Sequence, residues 1–224
     1  MKNIALIPAR GGSKGIKRKN IKPLNNMPLI YWTIKTALAS SYIDRVVVST
    51  EDEEIADISR SLCAEVPFMR PASLAQDNST GIETVLHALE HLPEVSNILL
   101  MQPTSPLRKI NHIEEIFKLR SKFNCDSAVS VSLSKKHLDL FFNIDSNNKI
   151  IPSSKDLKLA PRQEYPEKYI LNGSLYLSTK ESILHSKSFI TSNTIGYIMP
   201  EEYSIDIDTQ LDWDIAEFLI TKLV

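Results

Sequence analysis

The sequence predicts an α/β fold built on a mostly parallel sheet, and three observations carry that expectation. Short aliphatic runs of strand length alternate, from Ile4 to Leu133, with longer stretches whose apolar residues recur at helical spacing. That is the rhythm of βαβ units. The first run empties into Ala9-Arg10-Gly11-Gly12-Ser13-Lys14-Gly15, a glycine-rich turn at the carboxyl end of a strand, where open α/β sheets bind ligands. With 224 residues, 42% hydrophobic and 24% charged, the chain can bury one sizeable core, and a single domain over 1–224 is expected.

In chain order, the strand at 4–7 is closed by Pro8. Six basic residues then fall between Arg10 and Lys22 in a chain whose formal net charge is only -1. Backbone N–H groups of such a turn can point at an anion. A strand, a glycine-rich turn and crowded positive charge therefore indicate a polyphosphate site. The P-loop is excluded, because Lys14 sits between the glycines with no Ser or Thr after it. The dinucleotide fingerprint is excluded too, because the spacing is G-G-x-x-G.

A helix is expected over 27–38, with Pro28 in its first turn and Ile30, Ile34, Ala37 and Leu38 on one face. A buried strand follows at 45–50, then a helix over 51–62 with Ile55, Ile58 and Leu62 inward, then a strand-like segment at 66–69. The pattern repeats as a helix over 80–92, a strand at 97–101, a helix carrying Ile110, Ile113, Ile116 and Phe117, and a strand at 127–133. From about 134 to 168 the rhythm breaks. A strand at 140–144 ends in the turn signal Asp145-Ser146-Asn147-Asn148, so a hairpin is expected, and a polar stretch with Pro152, Pro161 and Pro166 follows. This insertion is a candidate dimerisation arm. Strands at 169–177 and 195–199 and a helix over 210–223, presenting Leu211, Ile215, Leu219 and Ile220, complete the chain.

Ser204-Ile205-Asp206-Ile207-Asp208-Thr209 is the second informative stretch. In a strand, Asp206 and Asp208 share a face while Ile205 and Ile207 pack the other way. Two carboxylates beside a polyphosphate site suit Mg²⁺; alone, they equally suit an acidic strand end with a helix cap at Thr209-x-x-Asp212. Gln102-Pro103-Thr104-Ser105-Pro106-Leu107-Arg108 places Gln102 between a buried strand and a backbone fixed by prolines, so that it faces a cleft. Arg108 is expected to be structural, paired with an acidic helix residue. His87 and His91 are four apart but lack a third metal ligand nearby, and the five histidines form no triad spacing. Near-neutral charge argues against nucleic acid as a partner. No apolar run reaches membrane-spanning length, no signal peptide is expected, and Cys63 and Cys125 lack metal-ligand spacing, all of which suits the cytoplasm.

Five motifs, in order, resemble the acylneuraminate cytidylyltransferases, whose relatives activate legionaminic, pseudaminic and Kdo-type acids. They are the loop Pro8–Gly15 with Lys19-Asn20, Arg70-Pro71 with Leu74-Ala75-Gln76-Asp77, the Gln102–Arg108 run, Asn172-Gly173-Ser174, and Ser204–Asp208. The resemblance implies a three-layer, Rossmann-like nucleotide-diphospho-sugar transferase fold, a homodimer, and transfer of CMP from CTP to a nonulosonic acid. It further implies that Arg10 and Lys14 hold the triphosphate and stabilise the leaving pyrophosphate. Ala9, Gly11, Gly12, Ser13, Lys19 and Asn20 would complete the nucleotide site, with Ser79 and Thr80 near the base. Arg70, Gln102, Arg162, Asn172 and Tyr176 would contact the sugar acid, and Asp206 and Asp208 would hold Mg²⁺. The identity of the acid stays open, as do a related transferase using Kdo or another NTP and a catalytically silent nucleotide-binding protein.

Overall fold

The computed structural model describes residues 2–13, 15–153, 161 and 164–223. The expected triphosphate contact of Lys14 and sugar-acid contact of Arg162 lie outside the described residues.

The first half of the chain forms β1 (Asn3–Pro8), β2 (Pro23–Leu24), β3 (Met27–Pro28), α1 (Leu29–Leu38), β4 (Arg45–Ser49), α2 (Glu53–Ser61), α3 (Gly81–His91) and β5 (Asn97–Met101). The second half forms α4 (Ile110–Phe123), β6 (Ser127–Leu133), β7 (Phe142–Ile144), β8 (Ile150–Pro152), β9 (Tyr169–Thr179), α5 (Lys180–Ser186), β10 (Thr194–Ile198) and α6 (Gln210–Leu223). The central sheet has six strands in the order β10-β6-β9-β5-β1-β4. β1 runs parallel to β4 and β5, β10 runs parallel to β6, and β9 alone is antiparallel to its neighbours.

Both faces of the sheet are buried, as in other sheets covered by helices on either side. Ala5, Ile7, Val46 and Val48 pack with residues of α1, α2 and α4, while Ile4, Leu6 and Val47 pack with residues of α3 and α5. The result is the expected three layers. A third cluster joins α1 and α6 through Leu29, Trp32, Trp213, Ala216 and Ile220.

β9 owes its direction to the insertion. Leu133 pairs with Tyr169, and Ser134 N–H donates to the Lys168 carbonyl at 2.8 Å. β6 and β9 are therefore the two legs of one hairpin whose connection is 134–168. A chain that returns at the same end of the sheet must run antiparallel. The start of β9 thereby reaches the edge at which β1, β4 and β5 finish.

Several local expectations are corrected. Residues 23–28 form a two-strand ribbon, turned by Asn25 and Asn26 at φ 49° and 64°. Such a turn suits Asn, and it leaves Pro28 as the N-cap of α1 rather than a residue of its first turn. Residues 66–69 form no strand; an isolated bridge between Val47 and Glu65 lies just before them. α5, capped by the Thr179 side chain, was not anticipated. α6 turns Trp213, Ala216 and Ile220 inward, whereas Leu211 stays 68% exposed, because the indole rather than the leucine fills the space beside Leu29 and Trp32. Residues 204–208 make no strand ladder, although Ile207 is buried between exposed Asp206 and Asp208, so the expected alternation holds.

Candidate active site

The loop after β1 is braced from below. Ala9 is buried, and its N–H donates to the Ser49 carbonyl at 3.0 Å. Gly11 N–H donates to Glu51 Oε1 at 2.7 Å, so this donor serves the protein's own carboxylate. A Cβ on Gly11 would lie 2.4 Å from Asp52 Oδ2, and one on Gly15 only 2.3 Å from the Asp208 carbonyl oxygen; Gly12 meets nothing within 4 Å. Asn20 is buried and its Nδ2 donates to the Arg10 carbonyl at 2.9 Å. Arg18 pairs with Asp52 and Glu54. The Arg18 hydrogen bond holds the Asp52 carboxyl below its ordinary range, with help from Ile55 N–H at the start of α2.

Above this brace lies a cleft of about 540 Å³ at the carboxyl ends of β1 and β5. Arg10, Ser13 and Lys19 line one side, Arg70, Ser79 and Thr80 another, and Gln102, Thr104, Asp206 and Asp208 the remainder. Arg10 Nη1 donates to Asp77 Oδ1 at 3.0 Å, and Lys19 Nζ donates to the Ile207 carbonyl at 2.6 Å and Asp208 Oδ1 at 3.2 Å. Buried Arg70 donates from Nη2 to Glu51 Oε2 at 2.7 Å and from Nη1 to Thr84 Oγ1 at 3.3 Å. Ser79 Oγ donates to the Ser73 carbonyl, and Thr80 caps α3 in a capping box with Glu83.

Asp206 is exposed along the cleft, with its carboxyl close to the start of β9. Desolvation raises its pKa and the like charge of Asp208 adds to this, while a hydrogen bond with Thr104 and the nearby Lys19 oppose it. Ile207 N–H donates to the Thr104 carbonyl at 2.9 Å, fixing the two aspartates on either side. Gly173, at φ 73°, lets the start of β9 press against this group: a Cβ there would sit 2.7 Å from Gln102 Oε1 and 3.2 Å from Asp206 Oδ2.

Arg108 corrects an expectation. Among the described residues no carboxylate hydrogen-bonds it; it donates to Ser174 Oγ at 3.0 Å, Thr33 Oγ1 at 3.1 Å and the Gln102 carbonyl at 2.7 Å. Burial pushes its pKa down to about 9, opposed by the negative field of Asp206. It ties α1, β9 and the end of β5 together behind Gln102.

Asn172 and Tyr176 do not line the cleft. The Asn172 amide donates to Ser204 Oγ at 3.0 Å and accepts from Ser130 Oγ at 2.6 Å and Ser174 N–H at 3.2 Å, so it anchors the aspartate segment to β9 and β6. Tyr176 packs on Phe189 with ring centres 5.6 Å apart. His87 and His91 lie tilted against each other, ring centres 4.5 Å apart, beside Phe68, and no metal-binding group of three His, Cys, Asp or Glu occurs among the described residues. Glu51 and Thr104 were missed from sequence. Their signal was positional: each follows the carboxyl end of a buried strand.

Comparison with known proteins places these observations. The cytidylyltransferase family model matches residues 4–219. The chain is 36% identical over 218 residues to the N-acylneuraminate cytidylyltransferase of Escherichia coli, covering 96% of this chain and 51% of that protein. It thus spans about half the length of that relative and of its Streptococcus agalactiae counterpart. It is 38% identical over 230 residues to the CMP-N,N'-diacetyllegionaminic acid synthase of Legionella pneumophila, covering 98% of this chain and 97% of that one. Among solved structures, CMP:2-keto-3-deoxy-manno-octonic acid synthetase complexed with CTP superposes with a TM-score of 0.76 at 13% identity, covering 100% of both chains. The 4-diphosphocytidyl-2C-methyl-D-erythritol synthase of Anaerococcus prevotii gives 0.65 at 16% identity, covering 98% of each. At these identities the structural likeness concerns the fold, and it agrees with a model match that runs through nearly every element described above: the chain belongs to the cytidylyltransferase family.

Proposed function

We propose that this chain transfers CMP from CTP to the anomeric hydroxyl of a nonulosonic acid, N-acetylneuraminic acid or a close relative such as legionaminic acid, and releases pyrophosphate. The observation that carries this reading is a single cleft shared by the cationic loop after β1 and the Asp206–Asp208 pair. The relatives named for CMP-sialic and CMP-legionaminic acid synthesis support the choice of acceptor. In the reaction the anomeric oxygen attacks the α-phosphorus in line, the bond to the β-phosphate oxygen breaks, and the hydroxyl proton is lost. Such transfers depend on positioning and charge neutralisation. Arg10 and Lys14 neutralise the triphosphate and the departing pyrophosphate. Lys19 and Asn20 hold the loop in register with Asp208, and Gln102 meets the acceptor.

Mg²⁺ is the cofactor of this reading, and the donor set fits it. Two hard carboxylates project from one alternating segment, and the Asp206 carboxyl is already raised by burial and by Asp208. Mg²⁺ is usually held by one or two carboxylates together with substrate phosphates. When bound, it would supply charge neutralisation at the phosphate oxygens. Arg162 would pair with the acid's carboxylate, for which guanidinium is well shaped. Homodimerisation through the 134–168 arm is supported by apolar side chains left in solvent, including Ile144 at 69% and Ile150 at 67% exposure. The free thiols of Cys63 and Cys125 suit a cytoplasmic enzyme; no helix among the described residues is long and apolar enough to cross a membrane.

The test is pyrophosphate release with CTP and Mg²⁺ against N-acetylneuraminic, legionaminic, pseudaminic and Kdo acids. Release with one of the first two is expected, and Asp208→Ala should lower it by about a hundredfold or more. Release with Kdo alone would reassign the acceptor. Near-normal Mg²⁺-dependent turnover in Asp208→Ala would remove the metal assignment.

A further inference from the structure

The geometry points to Glu51 as a positioning residue for the nucleotide, a carboxylate that sets the spacing between the phosphate-binding loop and the wall carrying Arg70. This rests on the nucleotide reading of the cleft given above. Glu51 does not itself line the cleft. Its two oxygens reach residues on two different sides: Oε1 accepts Gly11 N–H at 2.7 Å, and Oε2 accepts Arg70 Nη2 at 2.7 Å. The Glu51 side chain is 17% exposed and that of Arg70 only 4%. Gly11 is flanked by Arg10 and close to Ser13, both on the cleft, and Arg70 opens the segment that continues to Ser79 and Thr80.

Neither end of the link can drift. Arg70 N–H is tied to the Thr50 carbonyl at 2.8 Å, one residue before Glu51. Gly11 lies so close to Asp52, one residue after it, that a Cβ would not fit. Three consecutive residues beyond β4 thus hold both sides of the cleft. Charge makes the same point. A lone carboxylate beneath a polyphosphate loop would repel its ligand, whereas one neutralised by Arg70 does not. A bridge that merely stabilised the fold would be a weak reason to bury two charges; a bridge between two ligand-lining segments has a ligand-sized consequence. A ligand that reaches both sides will sense this spacing. One that occupies only the loop will not.

The experiment is titration calorimetry of the full chain, in Mg²⁺ buffer, with CTP and separately with inorganic tripolyphosphate. Charge-assisted hydrogen bonds are the stronger kind, so Glu51→Gln is expected to weaken CTP binding by about tenfold or more. Tripolyphosphate binding should change less than about threefold, while the melting temperature should drop because buried Arg70 loses its ionised partner, so both titrations are run well below the variant's own melting transition. Glu51→Asp, which keeps the charge but shortens the bridge, should show the same selective loss. Unchanged CTP affinity in Glu51→Gln would overturn the assignment. So would equal weakening of both ligands, which would mark Glu51 as a holder of the loop only, and so would a parent that binds CTP no better than tripolyphosphate. A parent that binds CTP but releases no pyrophosphate with any acid would defeat the transferase reading and leave the Glu51 comparison standing.

Discussion

A methyl group at residue 15 has nowhere to go. Its nearest neighbour would be the main-chain oxygen of Asp208 at 2.3 Å, and backbone cannot swing aside as a side-chain end can. Gly15→Ala should therefore push the loop and the aspartate segment apart. Overpacking of this kind costs about 1–3 kcal/mol, and turnover should fall with it because Lys19 contacts the same segment. Gly12→Ala, in open space, should leave stability within about 0.5 kcal/mol. Denaturant melts of the two variants, with pyrophosphate release for the first, check both expectations; an undisturbed Gly15→Ala would mean that the two segments are not packed as described. Arg108 carries a different lesson at this scale. A buried charge is normally sought beside an opposite one, but here hydroxyls and a carbonyl take all three hydrogen bonds, and Asp206 contributes only its field.

Among the elements, β9 decides most. Because its first residues lie beside the ends of the parallel strands, Gly173 reaches Gln102 and Asp206, and Asn172 reaches Ser204. The arm that turns the chain back carries the β7–β8 hairpin, which leaves Ile144, Ile150 and Ile151 in solvent. Apolar patches of this sort mark interaction surfaces. If the arm joins two copies, Ile144→Glu with Ile150→Lys should halve the mass measured by light scattering while the helical circular dichroism stays intact. A parent that is already monomeric would remove the arm from that role. The helices are secured more locally: Asp52 caps α2 and Thr80 caps α3.

Whole-molecule stability should respond to acid through His112. The imidazole is buried against Tyr203, its Nδ1 accepts Lys109 N–H at 3.2 Å, and burial pushes its pKa down to about 4 from 6.5. In the unfolded chain the same ring takes up its proton near 6.5, so the unfolded state holds more protons between the two values. Stability is then full above about pH 6.5, falls as pH drops toward 4, and loses on the order of 3 kcal/mol across that window. Below it both states are protonated and the contribution is constant. Urea melts at pH 7 and pH 4.5 measure the slope. His112→Gln should flatten it, and a parental slope in that variant would assign the effect elsewhere. The carboxyls of Asp52 and Glu65, held low by Arg18 and Arg45, act in a lower range: their contribution is present above about pH 4 and is lost as pH falls through the depressed values.

Much of this molecule was legible in its residues. Strand and helix periodicity located the strands at 97–101 and 127–133 and the helix at 210–223 to the residue, because burial on one or both faces dictates apolar spacing wherever an element lies. The glycine-rich basic loop and the alternation of Asp206, Ile207 and Asp208 were likewise visible, and the structure brings Arg10, Ser13, Lys19, Gln102 and both aspartates into one cleft. What the sequence by itself determined, then, is the layered fold and the chemical character of the site. Tertiary structure alone decided the direction of β9, the inward face of α6 and the use already made of each polar group. Gly11 N–H is spent on Glu51, 40 residues away, and the Asn172 amide on Ser130 and Ser204, 42 and 32 residues away. Such pairings follow from which strands lie side by side and in what register, and local composition is the same whether or not the partner arrives.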